Sequence, residues 1–169
     1  MSVRVPGPMV LIPLFGFFFF VFPEGASPKL QLYSLSGDLH RSSEIYQGLE
    51  NHQKVVYSFW SFSCLPCMAE FPHLLQLQKE KKSVKFYFVN VLDEREKISE
   101  FAEKNSIDKT SILLDERLAG ARSFRVLNKN QQPILPQLFV LNNIGNIIFK
   151  LSGYTEANIT RLKTILTIN

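Results

Sequence analysis

Two cysteines three residues apart, Cys64 and Cys67, lie where an apolar strand gives way to a helix. Residues 54–61 (KVVYSFWS) form a β-branched and aromatic run of strand length, apolar almost throughout, as in a strand covered on both faces. From Pro66 to about Lys82, apolar residues recur at helical spacing, and lysines collect at the carboxyl end, where the helix dipole favours them. This arrangement predicts a strand–helix unit with both sulfurs at the amino terminus of the helix.

The alternation of strands and helices continues along the chain. Residues 30–35 are predicted to be extended, and further strands are expected at 84–92, 112–114, 137–141 and 146–151, with helices at 93–104 and 116–124 and a polar loop at 127–135. Gly145 suits the turn of a hairpin between the last two strands, and Thr155 can cap a final helix. We therefore predict an α/β sandwich with a mixed central sheet.

Length and charge narrow the class of protein. The chain has 169 residues, which suits one ordinary domain and its core. Apolar residues make up 46% and charged residues 20%, a globular balance rather than a disordered one. The net charge of +4 is mild and dispersed, so we expect no nucleic-acid partner.

The first 26 residues read as a separate leader. Arg4 is their only positive charge, residues 9–22 (MVLIPLFGFFFFVF) are apolar throughout, and small and turn-forming residues follow. This pattern predicts that residues 1–26 are an export signal or, since Glu24 fits poorly beside a cleavage site, a retained amino-terminal membrane anchor. Residues 27–169 would then form the folded domain in an extracytoplasmic, oxidising compartment, either periplasmic or held at the inner membrane.

The cysteine pair has the chemistry of a redox-active dithiol. At the helix amino terminus, unpaired N–H groups and the helix dipole stabilise a Cys64 thiolate and can lower a cysteine pKa from about 8.5 to roughly 3.5–7. Cys67 lies one helical turn on, where it can attack the mixed disulfide that Cys64 forms with a partner. Pro66 fits the first helical turn because its missing N–H would have no partner there. Such a dithiol carries two electrons itself, so we expect no dissociable cofactor.

Two other interpretations of the pair are weaker. A zinc site needs about four ligands, and the histidines, His40, His52 and His73, show neither paired spacing nor an identifiable partner. A structural cystine between residues three apart would close a tiny loop of little value to a scaffold. The redox dithiol is therefore favoured, with no metal expected.

Residues 59–72 (FWSFSCLPCMAEFP) resemble the active-site segment of the thioredoxin superfamily. Within them, CLPCMAEFP is similar to the exported TlpA/ResA branch of membrane-tethered thiol-disulfide oxidoreductases. The match continues through residues 135–140 (LPQLFV), Gly145 and the Gly153-Tyr154 pair, and it covers about residues 30–169. The resemblance implies a thioredoxin-like three-layer sandwich, a mixed central sheet flanked by helices after the hydrophobic leader.

The resemblance also assigns roles by position. Cys64 matches the nucleophile and Cys67 the resolving thiol. Pro136 matches a cis-proline that begins a strand beside the dithiol and, with Leu135 before it, helps to dock extended substrate backbone. Glu70 matches an acidic position that could tune the thiol pKa values or shuttle protons; the alternative is an exposed helix glutamate.

Two departures from the superfamily pattern bear on the site. Ser63 stands where most members carry Trp immediately before the first cysteine, which changes the surface that partners meet. Ser58 replaces the buried acid of cytoplasmic thioredoxins. The resolving thiol then lacks its usual proton acceptor, which favours Glu70 in that role. Trp60 and Pro66 are expected to support the site, Trp60 mainly as a core residue.

The leading functional prediction is an extracytoplasmic disulfide reductase acting by dithiol–disulfide exchange. By resemblance it would reduce exported substrates such as apocytochrome c and be re-reduced by a membrane thiol-transfer protein of the DsbD/CcdA kind. The 127–135 loop before Pro136 is a hypothetical specificity element.

Three alternatives remain. One is a disulfide oxidase or isomerase on the same fold. A thiol peroxidase fits poorly, because Ser61 and Tyr57 stand where peroxiredoxins have Thr and Pro. The last is a non-catalytic or metal-binding thioredoxin-fold module such as a Sco-type copper chaperone, whose wider cysteine spacing and distal histidine are not evident.

Overall fold

A computed structural model describes residues 27–50 and 53–168, so the predicted leader and His52 lie outside the described residues. The strands are β1 (Gln31–Ser34), β2 (Leu39–Arg41), β3 (Lys54–Trp60), β4 (Val84–Asn90), β5 (Ile112–Leu114), β6 (Gln137–Leu141) and β7 (Ile147–Ser152). The helices are α1 (Ser42–Gln47), α2 (Leu65–Glu80), α3 (Arg95–Lys104), α4 (Ala119–Ser123) and α5 (Glu156–Thr167), and a 3₁₀ turn at Lys109–Ser111 precedes β5.

The seven strands form one mixed sheet in the order β2-β1-β5-β4-β3-β6-β7. β3, β4 and β5 run parallel, while β6 pairs antiparallel with β3, and β7 with β6. β3 is central and almost wholly buried, which explains why its sequence is apolar throughout instead of alternating.

Helices cover both faces of the sheet. On one face, apolar residues of α2, α3 and α5 pack in one cluster around Val56, Trp60 and Phe88. On the other face, α1 and α4 pack around Val55, Tyr57 and Phe59. These side chains alternate along β3, since successive strand residues point to opposite faces. The predicted three-layer sandwich with a mixed central sheet is therefore confirmed.

The helices α2 and α5 follow the sequence prediction closely. In α2 the buried face includes Phe71, Leu74 and Leu77. In α5 the Thr155 side chain accepts a hydrogen bond from the Asn158 N–H at 3.1 Å, so the predicted helix cap is confirmed. Both helices begin at the end of the sheet where β3 terminates and run back toward its start.

The predicted helix at 116–124 is shorter in the structure and begins only at Ala119. The buried Asp115 carboxylate accepts hydrogen bonds from the N–H groups of Gly120 (3.1 Å) and Ala121 (2.7 Å), and Leu118 before the helix is left-handed (φ 57°). The side chain thus satisfies the first helical donors and sets the start of α4.

Residues 38–47 depart from the prediction, which placed no element there. The strand β2 pairs with β1, and α1 buries Ile45 and Tyr46 on the sheet. Both elements are short and largely polar, so their sequence carries little periodicity. No helix among the described residues is long and apolar enough to cross a membrane.

Candidate active site

The two sulfurs lie at the amino terminus of α2 and are joined in a disulfide. Cys64 is the residue that caps the helix, and its Sγ accepts a hydrogen bond from the Cys67 N–H at 3.2 Å. Cys64 is partly exposed, whereas Cys67 is 1% exposed. A partner can therefore reach the outer sulfur of Cys64 but not that of Cys67.

The local chain folds this way because β3 ends just before the pair. The Cys64 N–H donates to the Ser61 carbonyl and the Met68 N–H to the Cys64 carbonyl, each at 3.2 Å, which turns the strand into the helix within a few residues. Leu65 and Pro66 follow in the first turn and are exposed, Leu65 to 80%. The disulfide thus lies at the end of the sheet, with exposed apolar side chains beside Cys64.

A second loop braces the cysteine loop from the end of β4. The Asp93 carboxylate accepts hydrogen bonds from the Phe62 N–H and the Asn90 side-chain amide, both at 2.8 Å. The Asp93 N–H in turn donates to the Asn90 side-chain oxygen at 3.2 Å. Leu92, between Asn90 and Asp93, has a left-handed backbone conformation (φ 67°). Its side chain is 57% exposed and is another apolar group at this end of the sheet.

Sequence reasoning missed this brace because it placed Asp93 in the following helix. The available signal was an Asn and an Asp three residues apart at a strand end, a composition typical of side-chain bonds to local backbone.

Pro136 immediately precedes β6, the strand that runs next to β3. The Leu135–Pro136 peptide bond is cis, as the resemblance implies for this position. Gln137 pairs with Phe59 in the sheet, so Pro136 lies at the same end of β3 as the disulfide. Pro136 is buried and Leu135 half-buried, while Ile134 before them is 46% exposed. Their role in docking substrate stays a prediction.

Glu70 lies one turn after Cys67 on the same face of α2 and is 2% exposed. The alternative of an exposed helix glutamate is therefore wrong. Burial raises the pKa of Glu70 from 4.5 to about 7. Within the described residues, no hydrogen bond or ion pair holds its carboxylate. Ser58 on β3 faces the same core and is 1% exposed, so no acid occupies that position.

Trp60 fills the space behind the cysteine loop. Its side chain is 1% exposed, and its ring makes edge-on contacts with Phe62 and Phe71 at centroid distances of 5.1 and 4.8 Å. It therefore supports the loop and the first turns of α2 from inside the core rather than meeting a partner.

His73, for which the sequence showed no identifiable partner, has one in the structure. Its Nε2 lies 2.9 Å from the Tyr154 hydroxyl, and the two rings stack, which ties α2 to the residues before α5. His40 packs edge-on against Tyr87 at 4.2 Å, and burial lowers its pKa to about 4. Across residues 27–50 and 53–168, no three His, Cys, Asp or Glu side chains gather as metal ligands.

The chain matches a known protein family in sequence. The profile of the AhpC/TSA family matches residues 25–150. No curated protein matches the sequence.

Three solved structures resemble this one in fold. A thiol:disulfide interchange protein of the thioredoxin family from Chlorobium tepidum has a TM-score of 0.64 at 17% identity, covering 83% of this chain and 94% of its own. DsbF from MTB has a TM-score of 0.65 at 23% identity, covering 83% and 96%. A secreted Mycobacterium tuberculosis disulfide oxidoreductase homologous to E. coli DsbE has 0.63 at 19%, covering 81% and 93%. At these identities the likeness shows the fold, and the predicted thioredoxin-like fold is confirmed.

Proposed function

Because this chain belongs to the AhpC/TSA family and has the thioredoxin-like fold, we propose that it is a disulfide reductase that works by dithiol–disulfide exchange at Cys64 and Cys67. The observation that carries the proposal is the asymmetry of the pair. Cys64 caps the helix and is partly exposed, whereas Cys67 is buried behind it. That is the arrangement a two-step exchange requires, with an attacking thiol outside and a resolving thiol inside.

The reaction starts from the dithiol form. The Cys64 thiolate attacks one sulfur of the substrate disulfide, and the other substrate sulfur leaves as a thiolate that takes up a proton. Cys67 then loses its proton and attacks Cys64 Sγ, which forms the Cys64–Cys67 disulfide and releases the second substrate thiol. Two electrons pass from the protein to the substrate, and the structure holds the oxidised product. The Cys67 N–H and the start of α2 stabilise charge on Cys64.

Glu70 is the proposed proton acceptor for Cys67. Its pKa of about 7 suits a group that must accept a proton near neutral pH and give it up again. Its carboxylate has no competing partner within the described residues, and it lies one helical turn from the buried thiol. The absence of an acid at Ser58 leaves this role to Glu70.

The rim of the site supports an extended polypeptide as substrate. Leu65, Leu92 and Ile134 are exposed at the end of the sheet that carries the disulfide. Pro136 and Leu135 would align substrate backbone beside Cys64, and the 127–135 loop would choose among partners. Exposed apolar side chains around the sulfur favour a protein whose disulfide lies in an unfolded or flexible segment.

We further propose an extracytoplasmic location, with residues 1–26 as signal or anchor and 27–169 as the domain. The apolar leader supports this, as does the fold shared with a secreted oxidoreductase. Exported proteins such as apocytochrome c would be the substrates, and a membrane thiol-transfer protein of the DsbD/CcdA kind the electron donor. The dithiol carries the electrons without a dissociable cofactor.

Trapping tests the proposal directly. Cys67→Ser should accumulate a mixed disulfide between Cys64 and an oxidised apocytochrome c peptide, because the resolving thiol is gone. Cys64→Ser is the matched control and should trap nothing, since Cys67 is buried. Equal trapping by both variants, or by neither, contradicts the assigned roles.

The family assignment also calls for a test of peroxide reduction, the chemistry of a thiol peroxidase. Ser61, at the position where peroxiredoxins carry Thr, is buried with its hydroxyl 2.7 Å from that of Ser63. We therefore expect the reduced protein to consume hydrogen peroxide far more slowly than it reduces a protein disulfide. Comparable rates for the two substrates would contradict the proposed reductase and favour a thiol peroxidase.

A further inference from the structure

The end of the sheet opposite the disulfide carries a second set of exposed residues. β3 and β4 both begin there, with Lys54 paired to Val84, and the register of Val55 with Leu141 brings the β6–β7 turn to the same end. From Lys54 to Trp60, β3 spans about 20 Å at about 3.3 Å per residue, and Cys64 lies beyond its far end.

Positive charge is concentrated at this end. Residues 79–85 (KEKKSVK) run from the end of α2 into the start of β4 and hold four lysines against the single acid Glu80. Lys79, Lys82 and Lys85 are exposed, and Lys81 donates a hydrogen bond to Thr167 Oγ1 at the end of α5. The lysines therefore create a region of positive electrostatic potential at the end of the sheet opposite the disulfide.

Exposed apolar side chains lie beside the lysines. Ile144, in the β6–β7 turn, is 64% exposed, and Ile147 and Ile148, at the start of the edge strand β7, are 41% and 44% exposed. Apolar side chains at a turn can enter the interfacial layer of a bilayer without exposing buried backbone.

The chain arrives at this same turn from its apolar leader. Ser27, the first described residue, donates a hydrogen bond from its hydroxyl to the Ile144 carbonyl at 3.1 Å. The 26 residues before it include the uninterrupted apolar run 9–22. Only residues 23–26 separate this run from Ser27, so a leader inserted in a membrane would tether the isoleucine turn within a few residues' reach of it.

We propose that these residues form a basal surface, Lys79, Lys81, Lys82, Lys85, Ile144, Ile147 and Ile148, that docks on an anionic lipid bilayer. The lysines meet the headgroups while the isoleucines enter the interfacial layer. The inference rests on the proposed extracytoplasmic location with the leader retained as an anchor. Docking turns the disulfide end of the sheet away from the bilayer, so Cys64 faces soluble substrates.

Hydrogen exchange of the full chain in lipid vesicles tests the docking. In vesicles of phosphatidylcholine with phosphatidylglycerol, amide exchange in 79–85 and 142–148 should be slower than in phosphatidylcholine alone, and added salt should remove the difference. A lysine near an anionic surface is worth a factor of about five, so Lys79→Gln/Lys82→Gln should weaken docking about 25-fold. The control Lys97→Gln/Arg117→Gln removes equal charge at the disulfide end and should leave docking unchanged.

A second variant tests the apolar part and guards against a purely electrostatic artefact. Ile144→Ser/Ile148→Ser keeps all lysines and should also lose protection in the anionic vesicles. Equal protection in both vesicle types overturns the proposal. So does protection that rises with protein concentration without lipid, which would assign the surface to a second copy of the chain. These variants should reduce a small disulfide as fast as the unsubstituted protein does. If the unsubstituted protein itself fails to reduce a small disulfide, that result counts against the proposed function and leaves the docking test unaffected.

Discussion

Replacing the buried carboxyl of Glu70 should change how the stability of the oxidised protein depends on pH. Glu70 is 2% exposed, and burial raises its pKa from 4.5 to about 7. The folded protein therefore binds this proton more tightly than the unfolded chain does. Stability contributed by the neutral carboxyl is fully present below pH 4.5 and is lost as pH rises through about 7.

The size of the loss follows from the same values. The rise from 4.5 to about 7 amounts to about 3 kcal/mol, because a tenfold change in proton affinity is worth about 1.4 kcal/mol. In Glu70→Gln the group cannot ionise, so this part of the pH dependence should vanish. Relative to the unsubstituted protein, the variant should gain about 3 kcal/mol between pH 4 and pH 8.

Urea unfolding of the oxidised protein at pH 4, 6 and 8 measures the effect. Glu80→Gln, an exposed carboxyl on the same helix, is the matched control and should follow the unsubstituted protein at each pH. If Glu70→Gln and the unsubstituted protein lose stability in parallel between pH 4 and pH 8, Glu70 does not carry a costly buried charge. Its proposed role as proton acceptor would then lose its basis.

Three further substitutions test the supports of the site and the fold. Asp93→Ala should speed amide exchange at Phe62 and lower the free energy of unfolding by about 2 kcal/mol, because it leaves the Phe62 N–H without its acceptor. Unchanged exchange at Phe62 would show that Asp93 does not brace the cysteine loop. Thr155→Ala should cost about 1 kcal/mol in urea unfolding by removing the cap of α5, and no loss would contradict it. Gly145→Ala should cost more than 1 kcal/mol, because φ is +82° and the new Cβ would lie 2.5 Å from a ring carbon of Tyr46; a neutral result would show that the turn rearranges.

The sequence predicted the main βα units because their signals are strong and local. An apolar run, a cysteine pair and a lysine-rich helix end together specified β3 and α2 and put both sulfurs at a helix start. The β6–β7 hairpin followed from Gly145, which the structure finds at positive φ. Such elements bury continuous apolar faces, so their patterns survive in the sequence.

Features that depend on tertiary packing were not predictable in the same way. An acidic residue on a helix is normally exposed, and only the core around α2 shows that Glu70 is buried. The brace at Asp93 and the contact of His73 with Tyr154 join residues far apart in sequence or turn on loop geometry. Residues 38–47 formed β2 and α1 because they pack on an existing sheet, not because their own pattern requires it.

The reduction potential of the Cys64–Cys67 pair tests the central claim most directly. The full chain in detergent would be equilibrated with a dithiothreitol or glutathione series, and alkylation of Cys64 followed with pH in the same samples. A dedicated reductase predicts a potential near that of thioredoxin, about −270 mV, with a Cys64 pKa near or above 7. A potential near about −120 mV with a strongly acidic thiol would make the protein an oxidant and contradict the account.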